Sequence, residues 1–370
     1  MELRLWGKLF FQFIITMTLE DQVVTVCYED LCSGRADLSD RILDAFGPDG
    51  FGVIAVRGVP DWEKLVSEAL PLSYQLASLP EGSLKALEHP ESLFNSGWSF
   101  GKEKLGDVPD TKKASFYFNP LADNPRPETR DQFPWALPAN RWPSKELPDF
   151  ETKCKALGKR MHEVVVALGK CVDALGLGAP ISDELEHSFK AKGRMLYYYP
   201  LSGSELVEAA SKPDGWIGWH NDSGFLTGLT PDVFFNHATG EVVPNPEPDT
   251  AGLWIADRKA VLRRVVIPKD CMAIQCGECL QVISGGKLVA TPHCVRPPLK
   301  TPGVGRSSMP VFVDSSPEFK LCSPNGAEAV LSKSVKQWVP PLADRWTEGQ
   351  TFADFLGSTF HAYYSWAPRE

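Results

Sequence analysis

The 370-residue sequence has no cluster of basic residues, and its formal net charge is −9. Nothing is therefore available to neutralise a row of phosphates, which excludes non-specific nucleic-acid binding. Long hydrophobic runs are also missing. The apolar stretch Leu9–Met17, behind Arg4 and Lys8, resembles the core of a signal peptide but is too short to span a bilayer. Thr18, Leu19, Glu20 and Asp21 follow it without a small-x-small cleavage site, and Met17 offers an alternative start. Residues 1–21 are thus expected to be a leader outside the fold, and the protein to be cytoplasmic, with no membrane association. The nine cysteines are an odd, scattered set, and a chain of this size needs no disulfides. Cys276 and Cys279 form a C-x-x-C with no second copy to complete a zinc site, so the segment CMAIQCGECLQVIS reads as strand, turn and apolar continuation. Repeats and compositional bias towards disorder are absent.

What is present is an ordinary globular composition, 43% hydrophobic and 23% charged. The first part reads as mixed α and β. Val23–Tyr28 and Phe51–Val56 are strand candidates, Leu38–Phe46 is a helix opened by Asp37, and Trp62–Leu79 carries an amphipathic helical pattern. From Pro80 to Pro148 proline, glycine, asparagine and aromatics dominate, which predicts a long functional loop with short strands such as Ala114–Phe118. Glu151–Leu177 is the clearest helix, because Cys154, Leu157, Met161, Val164, Leu168, Cys171 and Leu175 form one apolar stripe. The period then becomes two. Arg194–Tyr199, Phe225–Leu229, Gly252–Ala256, Val261–Ile267, Cys271–Gln275, Lys287–Val295 and Arg306–Asp314 are short strand candidates without crossover helices, favouring an antiparallel sandwich or barrel. A closing helix is expected over Glu348–Thr359.

The stretch WIGWHNDSGFLTGL places His220 and Asp222 two residues apart in a strand-like context, where both would face one side. His293 follows in LVATPHCVRPP, and Arg306 with Ser308 in GRSSMPVFV forms another i, i+2 pair. Two imidazoles and a carboxylate on one side of an octahedral ion leave adjacent positions open, which suits Fe(II) enzymes that hold an organic cosubstrate and O2. Zinc could take the same ligands. A guanidinium that grips a carboxylate bidentately, with a hydroxyl beside it, tilts the choice towards iron.

The order His-x-Asp, apolar strands, distal His and Arg-x-Ser resembles the 2-oxoglutarate and Fe(II)-dependent oxygenases of the isopenicillin N synthase-like, plant-type group. RMLYYYP, AGLWI, CLQVISGGKLVATPHCV and FGVIAVRGVP support the likeness, and GWSFGKEKLGDVPDTKKASFYFNP is similar to plant and algal members called clavaminate synthase-like. The resemblance covers most of residues 22–318. It implies His220, Asp222 and His293 as iron ligands and Arg306 with Ser308 as binders of the far carboxylate of 2-oxoglutarate. Tyr199 matches a cosubstrate-contacting tyrosine, while Tyr197 stands where the family often has asparagine. The segments 236–250 and 297–305 are longer than in plant members, at places where hairpins tolerate insertion. The implied reaction uses Fe(II), 2-oxoglutarate and O2, with ascorbate as an optional addition, and releases succinate and CO2 while hydroxylating or desaturating a small organic substrate.

The implied fold is mainly β with flanking helices around a double-stranded β-helix (jelly roll) core. Residues 22–190 are expected to form an N-terminal α/β region, 191–318 the jelly roll and 319–370 a C-terminal extension with a helix, in a monomer. Trp98, Phe116, Phe118, Asn119, Trp219 and Phe225 are candidate pocket walls, Trp216 a further one, for a small, largely apolar substrate. His89, Glu91 and His162 make a rival triad; His187, His237 and His361 have no carboxylate two residues on and are expected in surface or capping roles. Rival readings are a same-fold oxidase that does not use 2-oxoglutarate, a catalytically silent ligand-binding or sensor protein and, last, a zinc hydrolase.

Overall fold

Two sheets, antiparallel but for one N-terminal pair of strands, enclose the central cavity. The computed structural model describes residues 23–102, 104–105, 108–126, 132–133, 135–211, 215–334 and 338–365; the 1–21 leader expectation lies outside them. The smaller sheet runs Leu262–Arg264, Gly252–Ala256, His293–Arg296, Ile217–His220. The larger is built on Ala191–Tyr198, which pairs on one side with Lys113–Phe118 and on the other with Val304–Ser308 and then Val311–Val313. Strands Leu226–Leu229 and Val233–Asn236 follow outward, and Cys271–Cys276, Val53–Arg57 and Val24–Cys27 complete that edge. The N-terminal strands are thus hydrogen-bonded into the same sheet as the jelly roll, with Val24–Cys27 and Val53–Arg57 as a parallel pair.

One predicted strand and the chain beside it are interrupted at matching places. Arg306–Asp314 divides at Met309 and Pro310, and its neighbour divides between Leu229 and Val233, around Pro231. Proline has no N–H to give a ladder. The gap is closed by the Met309 N–H donating to Thr230 Oγ1 at 3.0 Å and the Arg194 N–H donating to Pro310 O at 2.9 Å.

The predicted long helix is present as Phe150–Ala174, with Cys154, Leu157, Met161, Val164 and Leu168 fully buried on one stripe. It packs on the outer face of the larger sheet, where Met161 and Val165 approach Gly228. Each such side chain contributes about 1.5–3 kcal/mol of burial. The Trp62–Leu79 pattern is two helices, Trp62–Ala69 and Leu72–Ala77, because Pro71 cannot continue the first. The segment after Cys276 corrects the expected continuation: Glu278–Ile283 is a fully buried helix opened by Gly277. A Cβ at Gly277 would stand 2.2 Å from Gly224 O, so glycine permits this turn to press against the His220–Gly224 segment.

Candidate active site

His220 ends strand Ile217–His220, and His293 opens the strand beside it; the register places the two opposite each other, with ring centroids 4.1 Å apart. Asp222 is not on a strand. The strand stops at His220, so alternation along it does not bring Asp222 round. A loop does: the Glu278 N–H donates to Asp222 O at 2.8 Å, and the Asn221 side chain donates to the Glu278 carboxylate at 2.9 Å. His293 Nε2 then lies 3.7 Å from Asp222 Oδ1. Among the described residues these three form the one cluster whose ligand atoms, all within 4.8 Å of each other, could hold a metal ion.

The imidazoles are oriented through their other nitrogens. His220 Nδ1–H donates to Gly218 O at 2.8 Å, leaving Nε2 for a metal. His293 Nδ1 is 3.2 Å from Thr291 O and 2.6 Å from the Gln275 carboxamide. With Nε2 of His293 used as a ligand, Nδ1 carries the proton and donates it to Thr291 O. Burial, reinforced by His293, holds His220 down to about 3, and burial takes His293 down to about 4, so both are neutral donors at neutral pH. Burial also raises Asp222 above the usual carboxylate range, against the pull of His220 and Thr227. A divalent cation reverses that balance by stabilising the carboxylate, so the donor set fits one.

A cavity of about 580 Å³ joins this cluster to Arg306 and Ser308. Both side chains come from strand Val304–Ser308 and face inward, as the i, i+2 spacing predicts. Arg306 is 4% exposed and paired to Asp232, and its guanidinium lies over the Tyr198 ring, 4.6 Å from the centroid. Its Nε and Nη1 are buried without a hydrogen-bond partner. Two buried, unsatisfied donors of a fixed fork are costly unless an acceptor fills them, and a carboxylate has the matching geometry.

Several expected site residues lie elsewhere. Tyr197 and Tyr199 were expected at the cosubstrate, but strand alternation turns Tyr198 to Arg306 and sends its neighbours to the opposite face. There the Tyr197 hydroxyl meets His237 Nδ1 at 2.8 Å, and its ring packs on Tyr74 and Tyr199. Trp98, Phe116 and Phe118 belong to the core beneath the long helix; Phe116 packs edge-on to Phe150 and both phenylalanines meet Trp142. Asn119 is structural, donating to Phe189 O and accepting from the Leu121 N–H. Trp219 packs at a tilt on Trp338, ring centroids 4.7 Å apart, Phe225 is buried against Phe319 and Phe352, and Trp216 is buried against Tyr198. The walls are instead Ile217, Leu229, Leu253, Val295 and Phe312.

The rival triad is not assembled. His162 faces Leu185 O at 3.0 Å on the long helix, while His89 lies 3.7 Å from Glu91. Burial lowers the pKa of His162, so its neutral form contributes stability above the unfolded value near 6.5, and that contribution is lost as pH falls below it. Melting temperatures of wild type and His162→Gln should therefore diverge least at acid pH, and equal slopes against pH would contradict this. Cys276 and Cys279 are buried free thiols held in the protonated form by burial, so the C-x-x-C is structural.

What sequence reading missed is the brace behind the metal loop. Glu278 and Arg345 are 1% and 2% exposed and form a two-pronged ion pair, both contacts 2.6 Å. The Asn221 N–H also donates to the Tyr363 hydroxyl at 3.0 Å, from the C-terminal helix Phe352–Ser365. The only local signal is Glu278 at the head of the largely apolar segment ECLQVIS.

No family model matches the sequence. A search of characterised proteins finds 27% identity over 338 residues, 85% of this chain and 88% of the relative, with the 2-oxoglutarate-dependent dioxygenase frbA of Dothideomycetidae sp.. Among solved structures, a full-length Neurospora crassa protein in complex with alpha-KG and thymine superposes with a TM-score of 0.67 at 17% identity, covering 94% of this chain and 99% of that one. In sequence and in fold the chain is similar to the 2-oxoglutarate/Fe(II)-dependent dioxygenases. The rice dioxygenase for auxin oxidation has the same fold, with a TM-score of 0.57 at 21% identity over 91% of this chain and 94% of that one. The chain is accordingly an oxidoreductase, with a His220, Asp222, His293 cluster fitted to iron. Among its described residues no helix is long and apolar enough to cross a membrane.

Proposed function

We propose that this dioxygenase hydroxylates or desaturates a small organic substrate, with 2-oxoglutarate leaving as succinate and CO2. The observation that carries this is the cavity that runs from the metal cluster to the two unpartnered donors of Arg306.

His220, Asp222 and His293 would hold Fe(II), which when bound supplies the redox chemistry that couples O2 and 2-oxoglutarate to oxidation of the substrate. The chain's own residues bind and orient. Arg306 Nε and Nη1 would grip the far carboxylate of the cosubstrate, with Ser308 a further donor and Asp232 and Tyr198 fixing the plane of the guanidinium. The Thr291 carbonyl holds the proton of His293 on Nδ1, away from the metal. Ile217, Leu229, Leu253, Val295 and Phe312 keep the space between dry.

Anaerobic addition of Fe(II) and 2-oxoglutarate to the apoprotein should produce the weak visible charge-transfer band of the chelate, and admitting air should release succinate. Asp222→Ala should lose the band. The reading is overturned if wild type gives no band and Asp222→Ala binds the cosubstrate equally well. A band with no succinate across a broad substrate screen would instead favour a ligand sensor.

A further inference from the structure

We propose that 2-oxoglutarate enters, and succinate leaves, through an opening behind Arg306, on the side of its guanidinium away from the metal cluster, with Arg264 receiving the carboxylate on the way. The inference rests on the dioxygenase reading and adds to it a route for the cosubstrate.

Strand register gives the direction of the cavity. At the metal, His293 is partnered with Ile255, and Ile255 with Arg263. Gln275 belongs to the same level, its carboxamide 2.6 Å from His293 Nδ1. Two residues on, Val295 is partnered with Leu253, and the Val265 N–H donates to Leu253 O at 2.9 Å. Gly252 comes next, about 10 Å from Ile255 along an extended strand. Here the Arg306–Asp232 pair meets the smaller sheet. A Cβ on Gly252, whose φ of +119° favours glycine, would stand 3.0 Å from Asp232 Oδ2 and 3.5 Å from Arg264 Nη2. Arg306 and Arg264 thus flank one carboxylate, a step removed from the metal.

The cavity continues past that point. Phe234, the strand partner of Arg306, is also partnered with Val243 on the edge strand Val242–Val243, and all three line it. This row carries the wall from the anchor to the rim of the larger sheet. Opposite, Val265 and Ile267 extend the lining beyond Leu253. Strand Cys271–Cys276 runs the same way, from Gln275 at the metal to Cys271, which is partnered with Arg57. Pro268 and Lys269 stand just before it, and helix Trp62–Ala69 follows Arg57; both segments line the cavity. At this end the lining reaches solvent: Val242 is 53% and Val266 58% exposed, and Glu63, Pro244 and Lys269 are exposed beside them. At the metal level Arg194, His220, Asp222, Gln275 and His293 are buried or half-buried.

The charges along this end suit a carboxylate in transit. Its described ionisable lining is Arg306, Arg264 and Lys269 against Asp232 and Glu63, so the path is net positive. Arg264 Nε and Nη2 donate to Ala251 O at 3.2 and 3.0 Å, and Nη1 donates to no described residue. The backbone therefore fixes the guanidinium and leaves one of its nitrogens for an anion. Burial, with Arg306 adding repulsion, lowers the Arg264 pKa despite Asp232 and Asp249. A carboxylate between the two guanidiniums relieves that repulsion and is handed from one set of charge-assisted donors to the next. A prime substrate seated at the metal would close any approach from that side. With the opening behind Arg306, succinate leaves and 2-oxoglutarate replaces it while the metal side stays occupied.

The test mixes the full chain, loaded anaerobically with Fe(II), with 2-oxoglutarate and follows growth of the chelate band by stopped flow. Val243→Trp and Val266→Trp each place an indole at the rim. Both should slow association about ten-fold or more while titration gives a dissociation constant within about two-fold of wild type, so that entry and exit slow together. A wild-type band at saturation reports that each variant is folded. Arg264→Gln should also slow association and flatten its dependence on ionic strength. Association within about two-fold of wild type in both tryptophan variants would overturn the proposal. So would slower association matched by weaker binding at an unchanged dissociation rate, since that marks damage to the seat and not to the route. Absence of the band in wild type would instead sink the dioxygenase reading, so the two failures are distinct.

Discussion

Arg306→Met binds 2-oxoglutarate two or more orders of magnitude more weakly than wild type, while its Fe(II) affinity changes little. The variant removes Nε and Nη1, the two buried donors left open for the cosubstrate. Hydrogen bonds to a charged group are each worth about 1.5–3 kcal/mol, and each 1.4 kcal/mol is about ten-fold in affinity. Asp232 complicates the stability of this variant, because it loses its partner. Arg306→Met/Asp232→Asn removes the stranded charge, so stability should recover while the affinity loss persists. Arg306→Lys should rescue poorly, since an ammonium cannot reproduce a fork and also remain on Asp232. Titration of the anaerobic chelate band reads all three, and 2-oxoglutarate affinity within ten-fold of wild type in Arg306→Met would remove the anchor role.

The second large effect is at Arg345. Arg345→Met strands the Glu278 carboxylate, whose side chain is 2% exposed, and truncating one partner of a buried ion pair costs about 3–5 kcal/mol. Urea denaturation should show the loss as a lower midpoint at unchanged slope. Iron affinity should also fall, by about 10–100-fold, as it does when groups that orient metal ligands are removed. The two effects separate in Arg345→Met/Glu278→Leu. An apolar pair recovers most of the stability, but Asn221 is then without its acceptor, and the weaker iron binding remains. If the double variant regained both, Glu278 would be a structural group only.

The candidate metal and cosubstrate residues were legible because each signal is local. His-x-Asp, the distal histidine and Arg-x-Ser depend on types, order and short spacings, and the structure brings all five side chains to one cavity. The strand-alternation argument nevertheless succeeded for Arg306 and Ser308 and failed for Asp222, which a loop positions. Tyr198 was passed over for Tyr197 and Tyr199, since three consecutive tyrosines carry no sign of which parity faces inward; only the pairing with Arg306 decides it. The same parity hides Trp98, Phe116 and Phe118 beneath the long helix and leaves Tyr117 beside Arg194. Glu278 and Arg345 are 67 residues apart, and no periodicity connects them.

That separation also orders events during synthesis. At about 5–20 residues per second, some 3–13 s pass between the polymerisation of Glu278 and that of Arg345. Over that interval every strand of the two sheets enclosing the cavity has been made, yet the glutamate has no counter-charge to accompany it into a dry interior. Docking of the helix it begins is therefore tied to arrival of the C-terminal segment. A nascent chain halted after strand Val311–Val313 should keep that helix open to protease, and should gain both protection and tight iron uptake only when Arg345 has cleared the ribosome.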